Sequence, residues 1–469
     1  MWVVIAAAIV RVVMENGQPA KTMAWVLVIY FVPLVGIVLY LFFGVNHRRE
    51  RLVSHRSLDQ LSKRSMLSFV EQPEQHVDER YKPMVDLFVN QNLSLPFAVS
   101  DVSIMTDGYQ FFPRLLRDIA EARHHIHIDM YIIEDDPLGR LVADALIARA
   151  RSGVQVRVIY DDVGCWNVSH DFFERLREGG VELASFLPVR FPAFTSKANY
   201  RNHRKLVVID GTVGYVGGMN IALRYVQGRE GADGEGRANW RDTMLRMTGG
   251  VVYALQRAFL VDWYFVDRTL ITDRAYYPPQ PAAAVSGCVA QLVTSAPTSL
   301  YPEIMQGFVH TITTARRYIY IETPYFLPNE PVLFALKTAV LAGVDVRLLC
   351  PRRSDARFTE WASRSYLREL SEVGGQVYLY ESGFLHSKLM IVDDQLSTCG
   401  STNVDFRSFE NNFESNVFIY DDAVAKQLKD IFLDDQTHST PLSDVAEWAR
   451  PRFVNRLWES FVRLLSPLL

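Results

Sequence analysis

One pattern constrains this chain more than any other, because it occurs twice. His203, Lys205 and Asp210 fall in HRKLVVID, and His386, Lys388 and Asp393 fall in HSKLMIVD. Both read His-x-Lys-x-x-x-x-Asp. Gly217, Gly218 and Asn220 follow the first copy, and Gly400, Ser401 and Asn403 follow the second, with seventeen positions from His to Asn each time. A repeated motif with a repeated tail marks two copies of one folding unit, each supplying half of a site. The repeat reaches further upstream: Ala122-Arg123 corresponds to Ala315-Arg316, and Gly153-Val154 to Gly343-Val344. Each copy reads as helix, strand, helix, glycine turn, strand. That alternation predicts an α/β fold of two lobes facing each other across a pseudo-twofold axis, each with a largely parallel sheet.

The residue types point to phosphoryl chemistry. A neutral imidazole attacks phosphorus, and an imidazolium protonates a leaving alkoxide; an ordinary pKa of about 6.5 allows both near neutrality. Two histidines from two lobes can therefore divide a two-step displacement. The His-x-Lys spacing projects both side chains from one face of a strand. Lys205, Lys388, Asn220, Asn403 and Ser401 are the candidate donors around the phosphate oxygens. Gly218 stands where the second copy has Ser401, so the two halves are expected to hold phosphate unequally. No HExxH, EF-hand loop or Walker A sequence is present, so no metal or cofactor is expected.

With its flanking words the chain resembles the phospholipase D superfamily, and within it the bacterial cardiolipin synthases. The words are NYRNHRKLVVIDGTVGYVGGMNIALRY, WRDT at Trp240–Thr243, TPYFLP at Thr323–Pro328, and FLHSKLMIVDDQLSTCGSTNVDFRSFENNFESNVFIYD. The resemblance implies a cleft between lobes, with His203 attacking phosphorus. His386 then serves first as acid and afterwards as base. It makes His203, Lys205, Asp210, His386, Lys388 and Asp393 the catalytic set. Asp242 and Glu414 would orient the histidines, and Asp210 and Asp393 would brace local turns. Ion pairs with Arg241 or Arg407 are the structural alternative for Asp242 and Glu414. The implied reaction joins two phosphatidylglycerols into cardiolipin and glycerol; hydrolysis by the same site is the alternative. Phosphatidylethanolamine as second lipid, and a homo-oligomer, stay open.

Net charge is −4, so no basic field argues for nucleic acid. Cys165, Cys288, Cys350 and Cys399 are scattered and read as buried thiols. Met23–Phe43 is uninterrupted apolar sequence. At ~1.5 Å per residue it reaches ~31 Å, enough for a bilayer core. Trp2–Met14 is a shorter apolar stretch holding Arg11, either a first span or an interfacial segment. His47, Arg48, Arg49, Arg51, Arg56, Lys63 and Arg64 follow, placing the long C-terminal part on the cytoplasmic side of a bacterial inner membrane, near anionic lipid.

The expected organisation is a membrane anchor over 1–45 and a basic connector with amphipathic helices over 46–100. The first lobe is expected over 101–275, the second over 276–440, and a terminal amphipathic helix over 441–469. That last segment spaces Trp448, Val454, Leu457, Trp458, Phe461, Leu464 and Leu465 among arginines, suiting either a membrane interface or packing on the lobe. Gly228–Arg237 is glycine-rich and charged, a surface loop or a lid.

Overall fold

The computed structural model describes residues 2–15, 19–44, 77–189, 199–230, 237–238, 240–280 and 287–468. Seven strands form the first sheet: β1 (Asp101–Met105), β2 (His125–Met130), β3 (Gln155–Asp161), β4 (Glu182–Phe186), β5 (Lys205–Ile209), β6 (Val213–Gly217) and β7 (Met244–Thr248). Their spatial order is β1-β7-β6-β5-β2-β3-β4. The second sheet holds β8 (Val289–Ser295), β9 (Tyr318–Glu322), β10 (Asp345–Pro351), β11 (Gln376–Tyr380), β12 (Leu389–Val392), β13 (Leu396–Gly400) and β14 (Asn412–Tyr420). These follow the same path, β8-β14-β13-β12-β9-β10-β11, extended by β15 (Ser439–Pro441) at one edge and Phe97–Ala98 at the other. Identical strand order in two lobes is the duplication read in the motifs.

The sheets are not largely parallel. Only β2, β3 and β4, and their counterparts β9, β10 and β11, run parallel. The other neighbours in both paths pair antiparallel. The reason lies in the motif itself. A parallel neighbour needs a crossover, whereas β5–β6 and β12–β13 are joined by short turns. Each turn opens with two residues at positive φ: Asp210 (53°) and Gly211 (65°) in one, Asp393 (57°) and Asp394 (58°) in the other. Glycine or aspartate tolerates that conformation. At Gly211 a Cβ would also sit 2.6 Å from Pro278 Cδ.

Helix Val251–Asp267 packs on β5, β7 and β8, between the sheets. It seals one continuous core that takes Val208, Leu245 and Phe259 from one side and Leu292, Ile391 and Val417 from the other. Burial of such a shared interior, at about 25 cal/mol per Å² of apolar surface, holds the lobes face to face. The outer faces are covered separately, by Phe111, Leu115 and Leu146 on the first lobe and by Phe308, Leu336 and Leu370 on the second.

The N-terminal segment departs from expectation. Met23–Phe43 is not one straight helix: Pro19–Phe31 ends at Val32, and Pro33–Leu39 and the π-helical Tyr40–Gly44 follow. Pro33 has no N–H to donate and its ring crowds the carbonyl one turn back, so the helix breaks there. Trp2–Glu15 is a helix of 14 residues laid against this segment, with Ile5, Val12, Ile29 and Tyr40 buried between them. Among the described residues no helix is long and apolar enough to cross a membrane. The outward faces are nonetheless apolar: Val3, Val10, Phe31, Leu34 and Val35 are exposed. The basic run from His47 to Arg64 lies outside the described residues.

Helix Lys82–Asn92 packs on the second lobe, Phe88 against Phe418 with ring centroids 4.7 Å apart. In the glycine-rich loop, Arg229–Glu230 and Arg237–Ala238 pair antiparallel, and the tip between them is outside the described residues. The terminal helix Phe453–Arg463 packs on helix Arg357–Glu372 in an inverted sense. Its packed side carries the buried Val462 and Glu459, with Glu459 accepting from Arg368 at 2.6 Å and the half-buried Arg463 donating to Glu369 at 2.6 Å. Its apolar side faces outward, with Phe453 80%, Val454 72% and Leu464 75% exposed.

Candidate active site

Each histidine is hung from the backbone of the opposite lobe. Arg201–Asn202 runs parallel to Asn412–Phe413, and His203 N donates to Phe413 O at 2.9 Å. In mirror fashion Phe384–Leu385 runs parallel to Trp240–Arg241, and His386 N donates to Arg241 O at 2.7 Å. The orienting carboxylates cross over too. His203 Nδ1 lies 3.0 and 3.1 Å from the two oxygens of Glu414, on β14 of the second lobe. His386 Nδ1 lies 2.7 Å from Asp242 Oδ2, just ahead of β7 in the first. The arginine alternative does not hold. Arg241 pairs with Asp435 at 2.6 Å, and Arg407 binds Asn199 at 3.3 Å.

Both histidines open onto one cavity of about 540 Å³, also lined by Tyr131, Asn220, Trp240, Tyr325, Asn403 and Asn412. The sequence had separated these rings by most of the catalytic region, and the fold brings them to one space. Asn220 accepts from Ile132 N at 3.1 Å and donates to Tyr225 Oη at 3.0 Å. Asn403 Oδ1 has no partner among the described residues. The lysines sit behind the histidines rather than in the cavity wall. Lys205 Nζ donates to His203 O at 2.6 Å, and Lys388 Nζ to His386 O. Burial lowers them to about 7 and about 8 respectively.

Asp210 and Asp393 do not reach the cavity. Asp210 accepts from the backbone N–H groups of Arg123, His124 and His125 at 2.7–2.9 Å. Asp393 accepts from those of Arg316, Arg317 and Tyr318 at 2.8–2.9 Å. Each clamps the start of its neighbouring strand, β2 or β9, which is a bracing role. Ser401 differs from its expected place at the phosphate. Its hydroxyl is buried against Glu414, to which it donates. At Gly218 a Cβ would stand 2.2 Å from Asp242 Oδ1. The Ser/Gly difference therefore acts on the carboxylates and not on phosphate directly.

The electrostatics follow from burial and this asymmetry. Burial lowers His203 to about 4, against the pull of Glu414. Burial and the nearby lysines lower His386 as well. Both imidazoles are therefore neutral at rest. Burial alone would raise Glu414, yet His203, Lys205 and Ser401 bring it below its ordinary value. Asp242 lacks the serine, and burial pushes it up to about 6 despite Lys388. A neutral ring beside a fixed anion can attack phosphorus and have its developing charge stabilised. A second ring beside a carboxyl that exchanges protons near neutrality can give and take the proton.

Aromatic walls around both rings escaped the motif reading. Tyr131 stands 4.9 Å from His203, and Trp240 5.1 Å from His386, centroid to centroid. Trp240 was in plain view two residues before Asp242. Tyr131 carries no local signal, because only the strand order places the end of β2 beside β5.

Comparison with known proteins bears on this geometry. The family described as "Cardiolipin synthase, PLD-like domain" matches residues 115–231 and 308–436. A second family, "Phospholipase_D-nuclease N-terminal", matches residues 3–44. A cardiolipin synthase of Geobacillus sp. (strain WCH70) is 39% identical over 97% of this chain and 90% of its own length. The major cardiolipin synthase ClsA of Bacillus subtilis is 38% identical over 99% of this chain and 97% of its own. In fold, the crystal structure of a phosphatidylserine synthase from Haemophilus influenzae matches with a TM-score of 0.62 at 14% identity, covering 83% of this chain and all of that one. By the length and depth of these matches, the chain belongs to the cardiolipin synthase family of phospholipase D-like proteins.

Proposed function

We propose that this protein is a phosphatidyltransferase that joins two phosphatidylglycerols into cardiolipin and free glycerol. The observation that carries the reading is the shared cavity, with each histidine held by a carboxylate of the other lobe. In the first step His203 Nε2 attacks phosphorus, the P–O bond to glycerol breaks, and the leaving oxygen takes through His386 the one proton that the His386–Asp242 pair carries, which leaves a neutral ring beside the Asp242 carboxylate. The product is a phosphatidyl-histidine. In the second step the headgroup hydroxyl of another phosphatidylglycerol loses its proton to His386, and its oxygen attacks the same phosphorus. The P–N bond breaks, and His203 is restored. Glu414 stabilises the charge on His203, and Asp242 shares the proton of His386.

The enzyme works at a membrane on this reading. The apolar outward faces of the N-terminal helices support it, and so does the terminal helix that turns its aromatic side to solvent. The lobes lie on the cytoplasmic side by the sequence's own charge bias, which falls outside the described residues.

The test is purified full-length protein in phosphatidylglycerol vesicles, with products followed and the adduct trapped by acid quench and mass spectrometry. Cardiolipin and glycerol should form in equal amounts without nucleotide. The adduct should map to His203 and vanish in His203→Ala. Phosphatidate as the main product would make the enzyme a hydrolase instead, and an adduct on His386 would exchange the two roles.

A further inference from the structure

Two arginines lie four positions beyond the motif asparagines, Arg224 after Asn220 and Arg407 after Asn403. Both line the cavity that holds His203 and His386. The duplication has thus placed a guanidinium on each side of one site. Their surroundings differ. Arg224 is ion-paired with Glu134 and lies over the Trp240 ring at 5.2 Å. Arg407 donates to Asn199 Oδ1 at 3.3 Å and to Asn199 O at 3.2 Å, both neutral acceptors, and forms no ion pair among the described residues.

Asp355 and Asp405 line the same cavity, and neither they nor the buried Asp161 pair with Arg407. Asp405 accepts from Ser408 N at 2.7 Å, Asp355 from Tyr325 Oη at 2.6 Å, and Asp161 from Arg201 at 3.3 Å. A half-buried guanidinium in a cavity wall whose hydrogen bonds go only to neutral acceptors keeps its charge and its remaining donors for a phosphate.

The reaction brings two phosphates into this space. One reacts between the histidines, and the other belongs to the acceptor lipid, a glycerol unit away. We propose that Arg407 forms a subsite for the phosphodiester of the acceptor lipid. It thereby favours a phospholipid over water or a simple alcohol as the second substrate. The proposal rests on the phosphatidyltransferase reading above. The charge balance picks Arg407 over Arg224, because Glu134 already neutralises the latter.

The experiment compares two acceptors that consume one intermediate. Full-length protein and Arg407→Gln are assayed in phosphatidylglycerol vesicles for cardiolipin formation. In parallel they are assayed for exchange of the headgroup with labelled free glycerol, which carries no phosphate. Cardiolipin formation should fall about tenfold or more, the factor expected from losing a charge-assisted hydrogen bond. Glycerol exchange should fall by less than about threefold on the same reasoning, and Arg407→Lys should recover part of the cardiolipin rate. Equal loss of both reactions would overturn the proposal, making Arg407 a structural or donor-side group. An unchanged cardiolipin rate would overturn it as well. Failure of the unaltered protein to catalyse either reaction would instead remove the parent reading.

Discussion

At the scale of single residues, the site works by withholding solvent from its charges. His203 is held neutral mainly by burial, with its pKa down at about 4. A histidine depressed in the folded chain stays unprotonated while the unfolded chain, near 6.5, takes up a proton. The stability this contributes is fully present above about 6.5 and is lost as pH falls toward 4. His203→Gln removes the titration. The melting midpoint of the unaltered protein relative to this variant should therefore decline between pH 7 and pH 5, as read by calorimetry at each pH. A constant difference would show that the ring's pKa is not depressed, and one that grows as pH falls would show a ring that holds its proton more tightly in the folded state.

At this scale the repeat located both histidines, both asparagines and the turn-bracing aspartates, but not the lysines, which were expected around the phosphate and instead hold the carbonyls behind the histidines. The carboxylates Asp242 and Glu414 came only from the flanking words, because no spacing links them to a histidine 144 or 211 positions away. Ser401 misled because a hydroxyl next to a phosphate site was read as a donor to phosphate. Its nearer, charged neighbour Glu414 claims it first.

Among elements, the terminal helix is the one whose pattern was legible and whose orientation was not. Heptad-like spacing of apolar residues fixes an amphipathic face, but not what that face meets. Here Glu459 and Arg463 find partners on helix Arg357–Glu372 around the buried Val462, so the packed side is a largely polar one and most of the apolar residues are left outside. Phe453, Val454, Leu457, Phe461 and Leu464 are left exposed with Arg452 and Arg456 among them. That combination fits an anionic bilayer surface. Phe358, exposed on the partner helix, stands beside Ala356 and Thr359 of the cavity wall. Leu457→Glu together with Phe461→Glu should lower cardiolipin formation on vesicles about tenfold or more, from the burial lost at two apolar side chains. Activity on short-chain lipid in detergent micelles should be retained. Equal activity on vesicles would assign the face to some other use. The parallel sheet was misjudged at this scale too, since the tight turns at Asp210 and Asp393 reverse the chain where a helix crossover was expected.

Over the whole molecule, the decisive fact is that neither lobe owns a complete half-site. His203 takes its carboxylate and its backbone acceptor from the second lobe, and His386 takes both from the first. Two polypeptides, residues 1–280 and 287–469, should therefore be inactive apart and regain cardiolipin formation when co-expressed. The shared core between the sheets gives them reason to associate. Activity in either piece as a monomer would refute the crossed arrangement.

The same reciprocity constrains how such a protein could have arisen. A progenitor bearing one lobe would have had an empty half-site as a monomer and two equal ones as a symmetric pair, so association came before catalysis. Fusion of the genes then freed the copies from being identical. The serine at 401 and the glycine at 218 are such a difference: one ring could specialise in attack and the other in moving protons, where in a symmetric pair either ring could serve in either role.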